Sequence, residues 1–346
     1  MIRKRVTLAD VADRAGLSKT TASMVLNGRN DVRLSPEAFR RVLAAAEELG
    51  YRPNVAARSL RTSKTATIAF VSDIVATTRF AGDMIRGALD AAREHDHVLL
   101  IAETQGDEAI EQQAIEAMLD RQVDGMIYAS MATRQLSVPT SLLGRPIVLL
   151  NATSADPEQP LPSIRPDDGA AGYAVAMALL RSGHREGIVL VGRNELKERD
   201  PRVSLAAGAR LEGITRALAE HGVALAGEAF CEEWQPEEGY AGMRRLLSGQ
   251  SRPRAVICLN DRLAFGAYQA LTEAGLHVAD DVSVVSFDDD ALASWLRPGL
   301  STAALPHEQM GRAAVELLIQ PDQTTEQRLT PMPLITRASI AAPSTD

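Results

Sequence analysis

The chain has 346 residues, 45% hydrophobic and 4% aromatic, a length that fits two or three domains, each able to bury its own core. Its longest apolar runs, such as Val98 to Ala102 and Ile147 to Leu150, fall far short of the ~20 residues of a bilayer crossing. Its two cysteines, Cys231 and Cys258, are too few for a disulfide scaffold. Residues 1–64 carry 13 Lys plus Arg against 6 Asp plus Glu, and the remainder 24 against 39, so only the head suits a polyanion; a solvated basic face is the alternative.

The opening Met1-Ile2-Arg3-Lys4-Arg5 has no apolar stretch behind its basic cluster, so no export signal is expected and the expected compartment is the cytoplasm. Three short helices follow. Thr7 is placed to cap the first, with Asp10 three positions on, and Leu8, Val11, Ala12 and Ala15 fall on one face before Gly16. Ser18 can cap a second, with Ala22, Val25 and Leu26 as its buried stripe and Asn27-Gly28 as its stop. Ser35-Pro36-Glu37 starts a third, with Phe39, Val42, Leu43, Ala46 and Leu49 on one side and Gly50 at its end. Two helices joined by a short glycine turn make a helix-turn-helix, whose second helix enters the major groove.

Val6-Thr7-Leu8-Ala9-Asp10-Val11-Ala12, Ala15-Gly16-Leu17-Ser18-Lys19-Thr20-Thr21-Ala22-Ser23, Val25-Leu26-Asn27-Gly28 and Leu49-Gly50-Tyr51-Arg52-Pro53-Asn54 closely resemble the LacI-GalR family of lactose and galactose repressors. The likeness runs to the C-terminal region. It implies base contacts from Lys19, Thr20, Thr21 and Met24. Met24 departs from the Arg or His often found there; a thioether cannot donate to guanine, so it suits a thymine methyl or packing. Thr7, Ser18, Ser23, Asn27, Arg29 and Asn54 are expected to cap helices or meet phosphates, which position without reading sequence. Asn54 to Arg61 resembles the family's hinge helix. So short a helix does not persist alone in water. The resemblance implies that paired hinges enter the minor groove, with Ala57 permitting close approach, Leu60 wedged into a base step and Arg61 beside it. An ordinary interdomain linker is the alternative.

From Thr65 onward apolar runs alternate with amphipathic stretches. Residues 68–71, 98–102, 125–129, 147–150, 188–191, 256–259 and 282–287 read as buried strands, and 82–95, 107–121, 168–182, 204–221, 237–248 and 261–274 as helices. This is a parallel α/β pattern of a length that suits two doubly wound lobes with a cleft between them. The expected organisation is therefore a small all-α helix-turn-helix head (1–50), a hinge and linker (51–64), and a two-lobed, periplasmic-binding-protein-like α/β core (65–346). The first lobe is expected to hold about 65–163 and 300–324, the second about 164–299 and 325–340, with crossovers near 162–166, 290–303 and 323–329.

Enzymatic readings find little support. Phe70-Val71-Ser72-Asp73 leads into Ile74-Val75-Ala76 without the glycine cluster of a dinucleotide site, and there is no G-K-[ST] phosphate loop or H-E-x-x-H zinc site. Asp288-Asp289-Asp290 could meet a cation, but acids after a strand more often cap a helix or bond ligand hydroxyls. No cofactor, metal or catalytic residue is expected.

The cleft candidates come from the resemblance. Ala207-Gly208-Ala209-Arg210-Leu211-Glu212-Gly213 picks Arg210, with a surface ion pair as the alternative; Leu259-Asn260-Asp261 picks Asn260 or Asp261, the latter also a possible helix cap; Ser286-Phe287-Asp288-Asp289 picks Asp288. Trp234 stands where the family often sets an aromatic against the ligand, an arrangement suited to a sugar's apolar face and hydroxyl edge. Asp73, Arg79, Phe80, Ser130 and Asn151 are the picks from the other lobe, and Arg79 leaves open an anionic effector such as a sugar phosphate. The C-terminal Ala341-Ala342-Pro343-Ser344-Thr345-Asp346 shows no leucine heptad, so a homodimer is expected rather than a coiled-coil tetramer. The whole reads as a ligand-responsive repressor of a pseudo-palindromic operator. Its rival is a small-molecule binding protein or enzyme with an incidental basic head.

Overall fold

The computed structural model describes residues 6–26, 34–51, 64–75, 78–249, 253–320 and 325–343, with the side chains of Arg79 and Phe80 outside the description. The chain divides into two units, Met1–Thr65 and Ala66–Asp346.

The head is built from α1 (Leu8–Ala15), α2 (Lys19–Leu26) and α3 (Pro36–Leu49). Thr7 and Asp10 form a reciprocal capping box, and Gly16, at φ 63°, lets Leu17 N–H close onto Ala12 O at 3.0 Å. Ser18 Oγ accepts from Thr21 N–H at 3.0 Å, and Ser35 Oγ accepts from Ala38 N–H at 3.2 Å. Val11, Ala12, Ala15, Ala22, Val25, Val42, Ala45 and Ala46 make the core. Leu43, expected on its inner face, is 47% exposed, and Ala45 is buried instead. The contact face of α3 is turned toward small residues, which let three short helices approach closely.

The core holds two six-stranded sheets. The first is assembled from β1 (Thr67–Ser72), β2 (Val98–Glu103), β3 (Gly125–Leu136), β4 (Ile147–Ser154), β5 (Ser163–Pro166) and β11 (Gln327–Thr330), in the order β11-β5-β4-β3-β1-β2, all parallel. Helices α4 (Arg79–Glu94), α5 (Glu108–Asp120) and α12 (His307–Ile319) belong to this lobe. The second sheet comprises β6 (Ile188–Arg193), β7 (Gly227–Phe230), β8 (Ala255–Cys258), β9 (Ser283–Asp288), β10 (Ser301–Ala304) and β12 (Leu334–Ile335), in the order β12-β10-β9-β8-β6-β7, with β12 antiparallel. Its helices are α6 (Asp168–Arg181), α7 (Glu195–Arg199), α8 (Ala206–Glu220), α9 (Pro236–Leu247), α10 (Asp261–Glu273) and α11 (Ala291–Trp295).

The crossovers differ from expectation by a few residues. Strand β5 pairs with β4, so residues 164–166 belong to the first lobe; β10 pairs with β9, so 301–304 belong to the second; and β11 pairs with β5, so 327–330 return to the first. Backbone pairing fixes lobe membership, and these short strands lack the apolar run that would announce it. In β11 only alternate residues are even half-buried.

Reciprocal glycines bring α6 and α8 together. A Cβ on Gly172 would sit 2.2 Å from Arg210 O, and one on Gly213 would sit 2.1 Å from Gly169 O. Gly87 with Gly311, and Gly239 with Gly266, do the same for α4 on α12 and α9 on α10. Two backbone hydrogen bonds also join the lobes: Gln135 N–H donates to Pro201 O, and Leu205 N–H donates to Thr133 O, both at 2.7 Å. They are possible because β3 runs on past a register shift between Ala129 and Arg134.

Candidate recognition helix and effector site

On α2, burial of Ala22 and Val25 turns the opposite face outward: Ser18, Lys19 and Thr20 are exposed, and Thr21, Ser23 and Met24 half-buried. Two of the candidate hydroxyls already cap helices. Thr7 Oγ1 donates to Asp10 at 2.8 Å, and Ser18 Oγ lies 2.8 Å from Thr21 Oγ1. Asn27, Arg29, Asn54, Ala57, Leu60 and Arg61 lie outside the described residues.

In the second lobe the strand ends converge on Arg210. Its Nε donates to Asp168 Oδ1 at 2.8 Å, while Nη1 donates to Leu259 O at 2.7 Å and to Asp288 Oδ1 at 3.3 Å. Its guanidinium carbon lies 4.6 Å from the centroid of the Phe287 ring. Side-chain exposures of 4% for Arg210, 1% for Asp168 and 13% for Asp288 make this a closed ion cluster. Burial opposes the charge on Arg210, but the two carboxylates hold its pKa above the ordinary arginine value. Burial pushes Asp288 up to about 6 while Arg210 pulls it down. The backbone of Asp288, at φ 109°, is a conformation few non-glycine residues adopt; such positions gather at functional sites.

Two members of this cluster escaped the sequence reading. Asp168 opens α6 and could be taken for a helix-start acid, since its partner lies 42 positions away. His307, at the start of α12, comes from the first lobe; burial, then Arg210, pushes it down to about 4, so it is neutral near pH 7.

The other second-lobe candidates are engaged in the fold. Asn260 caps α10 through Leu263 N–H at 2.9 Å and donates from Nδ2 to Trp234 O at 3.1 Å. Asp261 is fully buried, its oxygens accepting from Asp290 N–H and Thr302 Oγ1, both at 2.8 Å. Burial, then the charge of Asp288, pushes it up to about 8. It anchors the β9–α11 turn and presents no surface. Trp234 donates from its indole to Gly192 O at 2.9 Å, and Lys197 Nζ of α7 lies 5.6 Å from its ring centroid.

In the first lobe Asp73 accepts from Ser130 Oγ at 3.1 Å, Met131 N–H at 2.9 Å and Arg134 Nη2 at 3.1 Å. Asn151, at φ 56°, accepts from Thr133 Oγ1 at 2.7 Å and donates to Ser130 O at 2.9 Å. Ser130 and Asn151 are buried, so they shape the turn in β3. Arg79 and Phe80 open α4. Among the described residues no group of three or more His, Cys, Asp or Glu is placed to hold a metal ion. No described helix is long and apolar enough to cross a membrane.

Residues 65–339 match the family described as periplasmic binding proteins and sugar binding domain of the LacI family, and residues 7–54 match bacterial regulatory proteins of the lacI family. The chain belongs to the LacI family. LacI-family members are regulators, not enzymes, which removes the enzymatic reading. Among similar proteins, the ribose operon repressor of Haemophilus influenzae is 33% identical, covering 91% of each chain. The sucrose operon repressor of Escherichia coli is also 33% identical, over 96% of this chain and 99% of its own. The crystal structure of the Lac repressor dimer bound to operator and the anti-inducer ONPF superposes with a TM-score of 0.78 at 26% identity, over 98% of this chain and 100% of that one. A LacI-family regulator from Enterococcus faecium with bound ribose gives 0.61 at 26% identity, over 80% of this chain and 100% of that one.

Proposed function

We propose that this LacI-family chain is a cytoplasmic homodimeric repressor of a carbohydrate-utilisation operon, whose two heads hold a pseudo-palindromic operator while a sugar binds between the core lobes. One observation carries the reading: a helix-turn-helix that holds Lys19 and Thr20 outward shares a chain with a core that gathers Arg210, Asp168 and Asp288 at its strand ends. The relatives support it, being ribose and sucrose operon repressors, and so do the operator-bound Lac repressor dimer and the ribose-bound regulator.

On this reading Lys19, Thr20, Thr21 and Met24 meet bases, Thr7, Ser18, Ser23, Asn27, Arg29 and Asn54 meet the backbone, and Ala57, Leu60 and Arg61 serve the minor groove. Effector and operator share one equilibrium, so whatever factor the sugar imposes on operator affinity, the operator imposes on sugar affinity. The test is selection of random duplexes by the purified chain, repeated with ribose, sucrose and cellobiose. The expected result is a two-fold-symmetric site whose binding weakens with salt, shifts with one sugar and falls in Leu60→Ala. A chain that selects no sequence under any condition refutes the proposal.

A further inference from the structure

The core unit begins at Ala66, and the peptide groups on both sides of that residue are pinned. Ala66 N–H donates to Asp124 Oδ2 at 2.8 Å, and Ala66 O accepts from Val98 N–H at 2.9 Å. The two planes that flank Ala66 are therefore both held, and with them its φ and ψ. Its φ is 54°, a left-handed conformation that is costly for an alanine and persists only where the surroundings impose it. Strand β1 pairs with β2 from Thr67 and with β3 from Ile68. The backbone ladder thus stops short of the Ala66 N–H, and the side chain of Asp124, one residue before β3, supplies the acceptor. Asp124 N–H in turn donates to Thr67 O at 2.8 Å. The Asp124 side chain is 16% exposed, with His97 Nε2 3.6 Å from the same oxygen, so water competes weakly for a bond that the carboxylate charge strengthens.

We propose that Asp124 is a positioning residue for operator binding: by holding the Thr65–Ala66 peptide group it fixes the direction in which the DNA-reading segment leaves the core. This rests on the reading of the head and hinge as the operator-binding part. Two heads grip the two halves of one operator. Once the first has bound, the effective concentration of the second at its half-site depends on how narrowly its tether is aimed. Without the acceptor at Asp124 the Ala66 N–H turns to water, the left-handed conformation loses its restraint, and the chain leaves the core along many directions. The loss falls on simultaneous grip and spares the contact of a single head with its half-site.

The test uses the full-length chain and two duplexes: the two-fold-symmetric site that the wild type selects from a random pool, and the same duplex with one half scrambled. Affinity for both is measured by fluorescence anisotropy in one buffer. Asp124→Ala should bind the full site about tenfold or more less tightly and the half-site within about twofold of wild type. Asp124→Asn, whose amide oxygen still accepts from Ala66 N–H, should stay within about threefold of wild type on both. A merely structural role would weaken both duplexes alike. Equal losses on the two duplexes, an unchanged full-site affinity in Asp124→Ala, or an asparagine variant as weak as the alanine one each overturns the proposal and leaves the repressor reading intact. If the wild type selects no two-fold-symmetric site, the proposal falls together with that reading. Should Asp124→Ala not fold, Ala66→Pro, which removes the donor at the other end of the bond and cannot hold φ at 54°, takes its place in the same comparison.

Discussion

Replacing Arg210 with Met tests whether the buried ion cluster is a structural tie. Methionine restores most of the buried stem, so little cavity cost arises, and the change isolates the lost charge. Asp168 and Asp288, with side-chain exposures of 1% and 13%, then lose their common counter-ion, and Leu259 O loses a donor. Breaking a buried pair by removing one partner costs about 3–5 kcal/mol, a large share of the 5–15 kcal/mol of a typical domain. The loss depends on pH with a definite sign. Without Arg210 the pKa of Asp288, already raised by burial, loses the charge that pulls it down and rises further above its unfolded value, so the variant's stability declines as pH rises from about 5 to 8, by up to about 1.4 kcal/mol per pH unit. Wild-type Asp288 already lies near 6, so the informative quantity is the variant-minus-wild-type difference at each pH. The chain's two tryptophans, Trp234 and Trp295, both belong to the second lobe and report its urea unfolding by fluorescence. A deficit of about 4 kcal/mol at pH 8 that shrinks at pH 5.5 is expected. A deficit below about 1 kcal/mol, or one equal at the two pH values, refutes the account of Arg210 as the charge that permits two buried carboxylates.

Asp261→Asn should remove a pH-dependent weakness. The acid's pKa is raised to about 8, so its contribution is complete below the ordinary carboxylate range and lost as pH climbs to that value; the amide accepts from Asp290 N–H and donates to Thr302, and unfolding at pH 5, 7 and 8.5 should show the variant at least as stable as wild type at the highest pH. Gly172→Ala forces a methyl to within 2.2 Å of Arg210 O, whereas Gly169→Ala has nothing nearer than 3.8 Å; the first should cost about 1–3 kcal/mol in denaturant titration and the second should be near neutral. Leu205→Pro deletes the donor to Thr133 O at a position whose φ of −90° is about 25° from proline's own; hydrogen exchange at the Gln135 amide should quicken about tenfold or more, and unchanged protection would show that the two interlobe bonds do not act together.

What the sequence made legible follows the range of the interactions. The caps at Thr7, Ser18 and Ser35 and the stop glycines Gly16 and Gly50 each act within a few residues, and they stand where the pattern places them. The long buried strands were legible because each is a continuous apolar run. Strands β5, β7, β10, β11 and β12 were not, because each lacks the continuous apolar run that marks even the four-residue β8 and its place depends on a neighbour's backbone. Arg210 could be singled out only through family resemblance, and Asp168 remained hidden because nothing local separates it from a helix-start acid. Ser130, Asn151 and Asp261 have the residue types of ligand contacts, but their polar atoms are taken up by partners that only the fold brings near.

The position of Arg210 makes it sensitive to lobe movement. The bonds of Thr133 and Gln135 to the 201–205 segment tie the first lobe to the start of α8, and Arg210 stands in the second turn of that helix. The glycine crossing with α6 holds the same helix against Asp168, while α12 brings His307 from the other lobe. Asp168, Asp288 and the Leu259 carbonyl share the second lobe with Arg210, so rotation of one lobe on the other changes the surroundings of Arg210 through His307 and the 201–205 segment and leaves its hydrogen-bond partners in place. A 100-fold change in operator affinity requires a ligand preference between two lobe arrangements of about 2.7 kcal/mol. Two backbone bonds, each about 0.5–1.5 kcal/mol net, are together of that size. The two interlobe bonds are thus of the size that a two-state element with this coupling needs.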